Sequence, residues 1–188
     1  MGYARTQQIE GREIRVYDSL LNHQDIQALT ALFEGGAFVR NEVARPDTAV
    51  FRHWALNIPL ETAIHLPVYA PTLAAVQNFR ADRQYRLYRC YCNHAAYGDM
   101  LFTHTDCLPG EQHLTTLWYV APEWNVEWGG ETVFFNSRHD AEAVVSPRPG
   151  RLVVFDGSLT HVGRPPNRVC YVPRYTLALK FNVTARHS

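Results

Sequence analysis

The spacing of apolar residues changes along the chain and predicts helices first and strands later. Apolar positions recur at helical spacing over residues 22–33 and again over about 70–79. A glycine pair follows the first segment and Pro71 lies near the start of the second, as is common at helix ends and helix starts. Between the two helices, residues 47–66 contain several aromatic residues and prolines, so we predict a loop with short irregular elements.

From residue 84 onward, apolar and polar residues alternate, which is the period of a half-buried strand. Turn-forming pairs such as Pro109-Gly110 and Gly129-Gly130 separate the alternating segments. The predicted strands are 84–92, 100–106, 114–121, 132–136, 151–156, 161–162 and 174–183. Many short strands after a helical part indicate a mostly β protein, a jelly-roll barrel (double-stranded β-helix) buttressed by helices. We expect one domain over residues 1–188, with helical support and loops in 1–83 and the jelly-roll core in 84–183.

A His-x-Asp motif lies in the predicted strand 100–106. His104 and Asp106 are two residues apart, so on a strand both side chains point to the same face. His161, in a later predicted strand, can complete a set of two imidazoles and one carboxylate. Such a set holds Fe(II) and leaves three coordination positions open, as in non-haem iron oxygenases. Arg174 then provides a cation that can bind a dicarboxylate co-substrate through two hydrogen bonds.

A second His-x-Asp motif shows that the tripeptide alone is weak evidence for a metal site. His23 and Asp25 lie at the start of the predicted helix 22–33. Residues two apart on a helix point about 200° apart around its axis, so they cannot bind the same ion. We therefore assign these two residues to the helix start.

The last predicted strand has two different faces. The apolar face consists of Tyr175, Leu177, Leu179, Phe181 and Val183. The other face consists of Arg174, Thr176, Ala178, Lys180 and Asn182. This second face either lies in solvent, as in an ordinary antiparallel sheet, or lines the cavity of a barrel. The candidate metal ligands favour the cavity, with the apolar row packed beneath the helices.

Composition indicates a fully folded protein, because 46% of the residues are hydrophobic and 12% aromatic. Lys plus Arg and Asp plus Glu both number 18, so no overall positive charge points to a nucleic-acid partner. The N-terminal segment lacks the apolar stretch of a signal peptide, and no segment approaches transmembrane length. The four cysteines have neither zinc spacing nor a disulfide pattern. We expect a reduced, cytoplasmic protein without a membrane partner.

Five motifs follow one another in the second half of the chain. They are LTTLWYVA from Leu114, WGGETVFF from Trp128, PGRLVVFD from Pro149, THVG from Thr160 and RYTLALKF from Arg174. In this order they resemble the 2-oxoglutarate/Fe(II) dioxygenases, most closely the prolyl-4-hydroxylase-like branch. The resemblance covers about residues 91–181 and is specific for the superfamily rather than for a substrate.

The resemblance implies roles for individual residues. His104, Asp106 and His161 would be the iron ligands. Arg168 lies closer to His161 than Arg174 does, but its Pro/Asn-rich surroundings favour a solvent-facing position. The residues implied to bind 2-oxoglutarate are Arg174, which would hold the distal carboxylate, Thr176 and Tyr119 beside it, and Tyr91 as a further hydroxyl donor.

The resemblance also implies a reaction. Fe(II) would be the cofactor, 2-oxoglutarate and O2 the co-substrates, and ascorbate an additional reductant. Decarboxylation of 2-oxoglutarate to succinate and CO2 would be coupled to oxidation of a substrate C–H bond, above all by hydroxylation. The Asp106 carboxylate leaves no coordination position for chloride, which argues against halogenation. Desaturation, ring formation and epoxidation use the same oxidant and stay open.

We expect a small-molecule substrate rather than a peptide, because the chain has little beyond the catalytic core and no net charge to steer a large partner. The 47–66 loop is predicted to close over the cavity mouth as a lid. Lys180, on the inward face, is predicted to lie at that mouth and to pair with an acidic substrate. Further candidate contacts at the entrance are Trp54, Tyr97 and Met100.

Three alternatives stay open at this point. The first is a prolyl-type hydroxylase that acts on a peptide. The second is a cupin-like jelly roll that binds a metal or ligand without turnover. The third is a cupin-type dioxygenase that needs no 2-oxoglutarate, although its usual metal site contains more histidines than this one.

Overall fold

The computed structural model describes residues 4–108 and 111–185, so the predicted turn at Pro109-Gly110 lies outside the described residues. Within them the chain forms eleven strands and three α-helices. The strands are β1 (Ala4–Ile9), β2 (Arg12–Tyr17), β3 (Val39–Glu42), β4 (His53–Asn57), β5 (Arg83–Ala95), β6 (His113–Val120), β7 (Thr132–Phe135), β8 (Ala141–Val145), β9 (Leu152–Asp156), β10 (Thr160–Gly163) and β11 (Arg174–Ala185). The helices are α1 (His23–Glu34), α2 (Leu60–Ala63) and α3 (Tyr69–Phe79).

The two helices predicted from apolar spacing are present as α1 and α3. The side chain of Asn22 accepts a hydrogen bond from the backbone N–H of Asp25 at 2.8 Å and so caps α1, which ends at Gly35. Leu29 and Phe33 form part of the buried face of α1. The second His-x-Asp motif therefore lies in the first turn of a helix, as expected.

The strands form two antiparallel sheets. The larger sheet has the order β1-β2-β9-β6-β11-β5-β4-β3, and the smaller has the order β10-β7-β8. Phe134 and Val145 of the smaller sheet pack with Val153 and Phe155 of the larger one. The ring of Phe155 also contacts the imidazole of His161, with centroids 4.8 Å apart. This core between the sheets therefore supports one wall of the candidate site.

Strand β11 lies between β5 and β6 and separates the helices from the cavity. Its apolar row packs into the core beneath the helices, against residues such as Phe33, Val76 and Phe79. Its other row faces inward, and Arg174 and Thr176 line the cavity. The cavity interpretation of the last strand is confirmed.

The N-terminal hairpin was not predicted. Glu10 and Gly11 connect β1 to β2 with φ values of 50° and 78°, the conformation of a two-residue hairpin turn. Strand β2 shows only two buried alternating residues, Ile14 and Val16, and β1 is an edge strand with a mostly polar sequence. A pattern of two residues is too short to predict a strand, and the strand is identified only by its pairing with β9 in the structure.

Three other segments differ from the prediction. The 47–66 segment contains β4, which pairs with β5, so residues 53–57 belong to the larger sheet and are not part of a loop over the cavity. Strand β8 was not predicted. Residues 100–106 do not form a regular strand, because only His104 pairs, through an isolated bridge to His161.

None of the described helices is long and apolar enough to cross a membrane. The four cysteines are all free and buried. Burial raises the pKa of the Cys90 thiol to about 12, so this side chain behaves as a small apolar residue.

Candidate metal centre and its cavity

The structure brings His104, Asp106 and His161 together at one end of the barrel. The Nε2 atom of His104 lies 3.5 Å from Oδ1 of Asp106, and Nε2 of His161 lies 3.7 Å from Oδ2. One ligand atom from each residue lies within 4.8 Å of the other two. The three side chains converge as predicted, although His104 and Asp106 are not on a regular strand.

Backbone hydrogen bonds fix this convergence. The N–H groups of His104 and His161 each donate to the other residue's carbonyl at 2.9 Å. The N–H of Asp106 donates to the carbonyl of Gly157 at 2.7 Å. One strand-like pair followed by a bend therefore places the carboxylate between the two imidazoles. Alternation along a regular strand predicted the same convergence, but the backbone here is not a regular strand.

Both imidazoles have the tautomer that a metal site requires. Nδ1 of His104 bonds the carbonyl of Phe102 at 3.0 Å, and Nδ1 of His161 bonds that of Leu159 at 2.9 Å. A carbonyl only accepts, so each Nδ1 carries the proton and each Nε2 presents its lone pair to the centre. Burial lowers the pKa of His161 to about 4, so this ring is neutral at neutral pH. Two imidazoles and one carboxylate fit Fe(II).

The side chain of Asp106 is 4% exposed, and both of its carboxylate oxygens accept hydrogen bonds. Thr115 Oγ1 donates to Oδ2 at 2.7 Å, and Lys180 Nζ donates to Oδ1 at 2.6 Å. Burial alone would raise the pKa of Asp106, but His161, Lys180 and His104 lower it, and the net result is a pKa well below the ordinary value. Because His161 is itself neutral, Lys180 is the permanent cation among these neighbours.

The predicted position of Lys180 at the cavity mouth is wrong. Its side chain is 8% exposed and forms an ion pair with Asp106. Burial lowers the pKa of Lys180, but Tyr91 and Asp106 together raise it by a larger amount, so the net pKa lies above the ordinary value. The inward orientation of Lys180 was predicted correctly. Spacing along one strand does not reveal that the carboxylate of Asp106, which lies in a loop, packs against the end of the lysine side chain.

A cavity of about 660 Å³, counted out to its open mouth, adjoins the three ligands. Arg174 is 3% exposed and lies in its wall. Arg174 donates from Nε to the carbonyl of Gly130 at 2.6 Å and from Nη2 to Thr132 Oγ1 at 3.1 Å. Burial lowers its pKa from the very high ordinary value of arginine. Arg168, by contrast, is exposed.

Two glycines make room for the guanidinium of Arg174. A Cβ on Gly130 would lie 3.1 Å from Cδ of Arg174, and one on Gly163 would lie 3.2 Å from both Nη1 and Nη2. Thr132 is a cavity residue that sequence reasoning missed. Thr132 belongs to the WGGETVFF motif, shortly after the Gly129-Gly130 pair, and this position could have indicated a cavity residue.

The other residues implied to bind 2-oxoglutarate take up different positions. Thr176 and Tyr91 line the cavity. The Tyr119 hydroxyl instead donates to the carbonyl of Val145 at 3.0 Å and lies 2.6 Å from Thr132 Oγ1. The ring of Tyr119 lies 5.2 Å from Cζ of Arg174. Tyr119 thus supports the guanidinium with its ring, while its hydroxyl is already bonded.

The entrance differs from the prediction. Trp54, Tyr97 and Met100 are 37%, 64% and 53% exposed and do not line the cavity. Trp54 points away because it alternates with the inward His53 on β4. The cavity wall near the mouth is formed instead by Ala44, His53, Leu101 and Phe102.

Two polar residues of the cavity wall were also missed. His53 is buried, and burial lowers its pKa. Asn93 pairs in register with Thr176, and its Oδ1 atom is buried without a hydrogen-bond partner among the described residues. The alternation of β5 would have revealed Asn93 once its register with β11 was known.

Comparisons with known proteins identify the family of the chain. A family model described as the 2OG-Fe(II) oxygenase superfamily matches residues 89–182, which is half of the chain. This stretch contains His104, Asp106, His161 and Arg174. No curated protein sequence matches the chain.

Solved structures with a similar fold include prolyl hydroxylases and a biosynthetic enzyme. A prolyl-4-hydroxylase from Pseudomonas putida has 17% identity and a TM-score of 0.64, with 93% of each chain covered. A prolyl hydroxylase from Trichoplax adhaerens, in complex with a hypoxia inducible factor peptide fragment, has 20% identity and a TM-score of 0.66, covering 90% of this chain and 83% of that one. The α-ketoglutarate-dependent epimerase SnoN from nogalamycin biosynthesis has 14% identity and a TM-score of 0.69, covering 93% and 80%.

These likenesses confirm the predicted double-stranded β-helix fold. The family match also resolves the choice against a cupin-like binding protein and against a dioxygenase without 2-oxoglutarate, and it supports Fe(II) and 2-oxoglutarate as the groups that the cavity takes. The chain therefore belongs to the 2OG-Fe(II) oxygenase superfamily and is a 2-oxoglutarate-dependent non-haem iron oxygenase.

Proposed function

We propose that this oxygenase hydroxylates a C–H bond of a small molecule, with His104, Asp106 and His161 as iron ligands and Arg174 as the partner of the distal 2-oxoglutarate carboxylate. The observation that carries the proposal is the convergence of these three ligands beside a cavity whose wall contains a buried guanidinium. When bound, Fe(II) with 2-oxoglutarate and O2 supplies the oxidant. The balanced reaction converts R–H, 2-oxoglutarate and O2 into R–OH, succinate and CO2.

The protein's own residues bind and orient the reactants. Arg174 offers a fixed cation in a buried setting, where a carboxylate gains most from a charged hydrogen bond. Asp106 would be the third protein ligand of the metal, and the presence of this carboxylate argues against halogenation. Phe134 and Phe155 pack against His161, with ring centroids 5.8 Å and 4.8 Å from the imidazole, and keep water away from that side.

The shape of the cavity supports a small molecule over a peptide. Arg45 donates to the carbonyl of Thr103 and, at 3.1 Å, to its hydroxyl. The rings of Phe51 and Phe102 lie 5.3 Å apart. Residues 43–52 thus pack on the 101–103 segment and close one side of the mouth.

The polar wall supports a substrate with hydrogen-bond donors. The buried amide oxygen of Asn93 has no partner among the described residues, and an unmade buried hydrogen bond is costly unless a ligand supplies it. 2-Oxoglutarate offers only acceptors at neutral pH, so the complementary hydroxyl or amine would belong to the substrate.

A peptide substrate is the second candidate. The Trichoplax adhaerens neighbour was solved with a peptide fragment, and that observation favours a peptidyl residue. Succinate release separates the two candidates when a panel of hydroxylated and amino-substituted small molecules is compared with proline-containing peptides. Substrate-dependent succinate in the peptide panel alone would contradict the small-molecule proposal.

The metal and co-substrate roles have their own test. Anaerobic addition of Fe(II) and then 2-oxoglutarate should produce the weak visible charge-transfer band of the chelate. The band should be absent in Asp106→Asn, which loses the carboxylate ligand, and present in Arg168→Ala, which changes an exposed residue. A band of full intensity in Asp106→Asn would contradict the ligand assignment.

A further inference from the structure

Lys180 is the only lysine in the sequence; every other Lys/Arg position is arginine. It lies on the inward face of β11, opposite Thr115 on β6 and Arg89 on β5. Its Nζ atom is 2.6 Å from Oδ1 of Asp106. The one lysine of a chain that otherwise uses arginine is thus buried against a proposed metal ligand.

The neighbours of Lys180 leave Asp106 as its counterion. Arg89 faces the same region, but it forms an ion pair with Glu42 at 2.6 Å. The ring of Tyr91 lies between the two cations, 4.2 Å from Cζ of Arg89 and 5.5 Å from Nζ of Lys180. Among the described residues, Asp106 is the only carboxylate within ion-pair distance of Lys180.

Arginine would contact this carboxylate differently. Arg151 contacts both oxygens of Asp18, with Nε–Oδ1 and Nη2–Oδ2 distances of 2.7 Å each. Arg89 likewise contacts both oxygens of Glu42, at 3.3 and 2.6 Å. Such a planar fork covers the carboxylate edge. Lysine is a point donor and contacts one oxygen of Asp106, so lone pairs of the carboxylate stay free for a metal ion.

We infer that Lys180 is a positioning residue that neutralises and orients Asp106 in the metal-free protein and, as a retained cation, limits the affinity of the site for divalent metal. The inference rests on the proposed metal site and adds a residue that controls its loading. It also explains why a lysine occupies this position in a chain that otherwise uses arginine.

The physical argument compares the two states of the site. A buried carboxylate without a counterion is strongly unfavourable, so Lys180 stabilises the metal-free protein. Once a divalent ion neutralises Asp106, the ammonium is a second cation close to the first, and the two repel each other. Lys180 also reduces the freedom of the carboxylate, but Thr115 keeps its own hydrogen bond to Asp106. Ordering one short side chain is a smaller effect than a nearby buried charge.

Mn(II) titration calorimetry on three Lys180 forms tests the inference. Lys180→Met, which removes the charge and keeps the length, should bind Mn(II) at least tenfold more tightly than the wild type. Its metal-free form should unfold at a lower temperature, and Mn(II) should recover most of that loss. Lys180→Arg should bind Mn(II) at least tenfold more weakly, because the guanidinium fork covers both oxygens of Asp106.

Arg151→Met is the matched control, since it removes another well-buried cation that contacts a carboxylate at 2.7 Å away from the metal site. It should lower the unfolding temperature equally with and without Mn(II) and leave the Mn(II) affinity unchanged. Unchanged or weaker affinity in Lys180→Met, with normal binding by the wild type, overturns the role of Lys180 alone. Absence of Mn(II) binding by the wild type overturns the metal site and this inference together.

A measurement on the wild type covers the case in which the variants do not fold. Lysine labelled with ¹⁵N at Nζ gives one side-chain signal, because the chain has one lysine. The buried, hydrogen-bonded ammonium should exchange slowly with water in the metal-free protein, and Zn(II) should shift its signal. A signal that saturating Zn(II) leaves unchanged contradicts the contact between Lys180 and the metal ligand.

Discussion

At the scale of single residues, Arg174 and Arg168 make a matched pair for testing the 2-oxoglutarate contact. Arg174 is buried in the cavity wall, whereas Arg168 is exposed. Removing one partner of a buried charged hydrogen bond costs about 2–5 kcal/mol. Arg174→Ala should therefore weaken 2-oxoglutarate binding by roughly 30-fold or more, as measured by calorimetry with Mn(II) present. Arg168→Ala should bind 2-oxoglutarate like the wild type. If Arg168→Ala weakened binding and Arg174→Ala did not, the assignment of Arg174 as the partner of the distal carboxylate would be wrong.

His161 gives the metal-free protein a defined pH dependence. Its pKa is about 4 when folded, because of burial, against about 6.5 in an unfolded chain. Between these values the unfolded chain binds a proton that the folded protein does not, so stability is full above about pH 6.5 and falls as the pH decreases towards 4. The effect is on the order of 3 kcal/mol across this window. Burial of His53 acts in the same direction.

Urea unfolding of the metal-free protein between pH 5 and 7 measures this dependence. The free energy of unfolding should decrease as the pH is lowered, and His161→Asn should show a clearly shallower decrease. The pKa of Asp106 lies well below its ordinary value of 3.8, so its contribution to stability is complete above that value and is lost only as the pH falls below it, outside the window of pH 5 to 7. If the free energy of unfolding fell equally with pH in His161→Asn and the wild type, a group other than His161 would control stability between pH 5 and 7.

At the scale of elements, β10 meets β11 where Gly163 leaves space for the Arg174 guanidinium. A Cβ at this position would lie 3.2 Å from both terminal nitrogens, so Gly163→Ala should displace the guanidinium without straining the backbone. We expect 2-oxoglutarate affinity to fall by about tenfold, or ~1.4 kcal/mol. Gly35→Ala, whose Cβ would make an ordinary contact of 3.6 Å with the Ala31 carbonyl, is the control. Wild-type affinity in Gly163→Ala would mean that Arg174 tolerates the shift.

At the scale of the whole molecule, two distant segments meet at the cavity mouth. Residues 43–52 are held on the 101–103 segment through Arg45 and through the Phe51–Phe102 contact. Arg45→Ala should loosen this wall, admit water and uncouple the reaction, so that more succinate forms per product molecule. Arg138→Ala, which changes an exposed residue elsewhere, should leave the ratio unchanged. A ratio that stays the same in Arg45→Ala would rule out a closing role for this segment.

Local patterns in the sequence were sufficient to predict the helices, most core strands, the grouping of His104, Asp106 and His161, and the inward orientation of Arg174. The helical spacing of α1 and α3 and the two faces of β11 depend on the nearest few residues, so they can be read directly along the chain. The order of the five motifs that begin at Leu114 indicated the family, because the order of motifs is also read along the chain.

Tertiary structure alone decided the features that depend on partners distant in the sequence. Strand β2 is stabilised by pairing with β9, β1 by pairing with β2, and β4 by pairing with β5, and their short sequence patterns do not predict these pairings. The entrance residues depend on which face of β4 and β5 meets the cavity. Lys180 faces inward as alternation predicts, but its partner is a carboxylate 74 positions away that a bend brings beside it. A sequence pattern specifies which way a side chain points, whereas its partner is set by packing between strands.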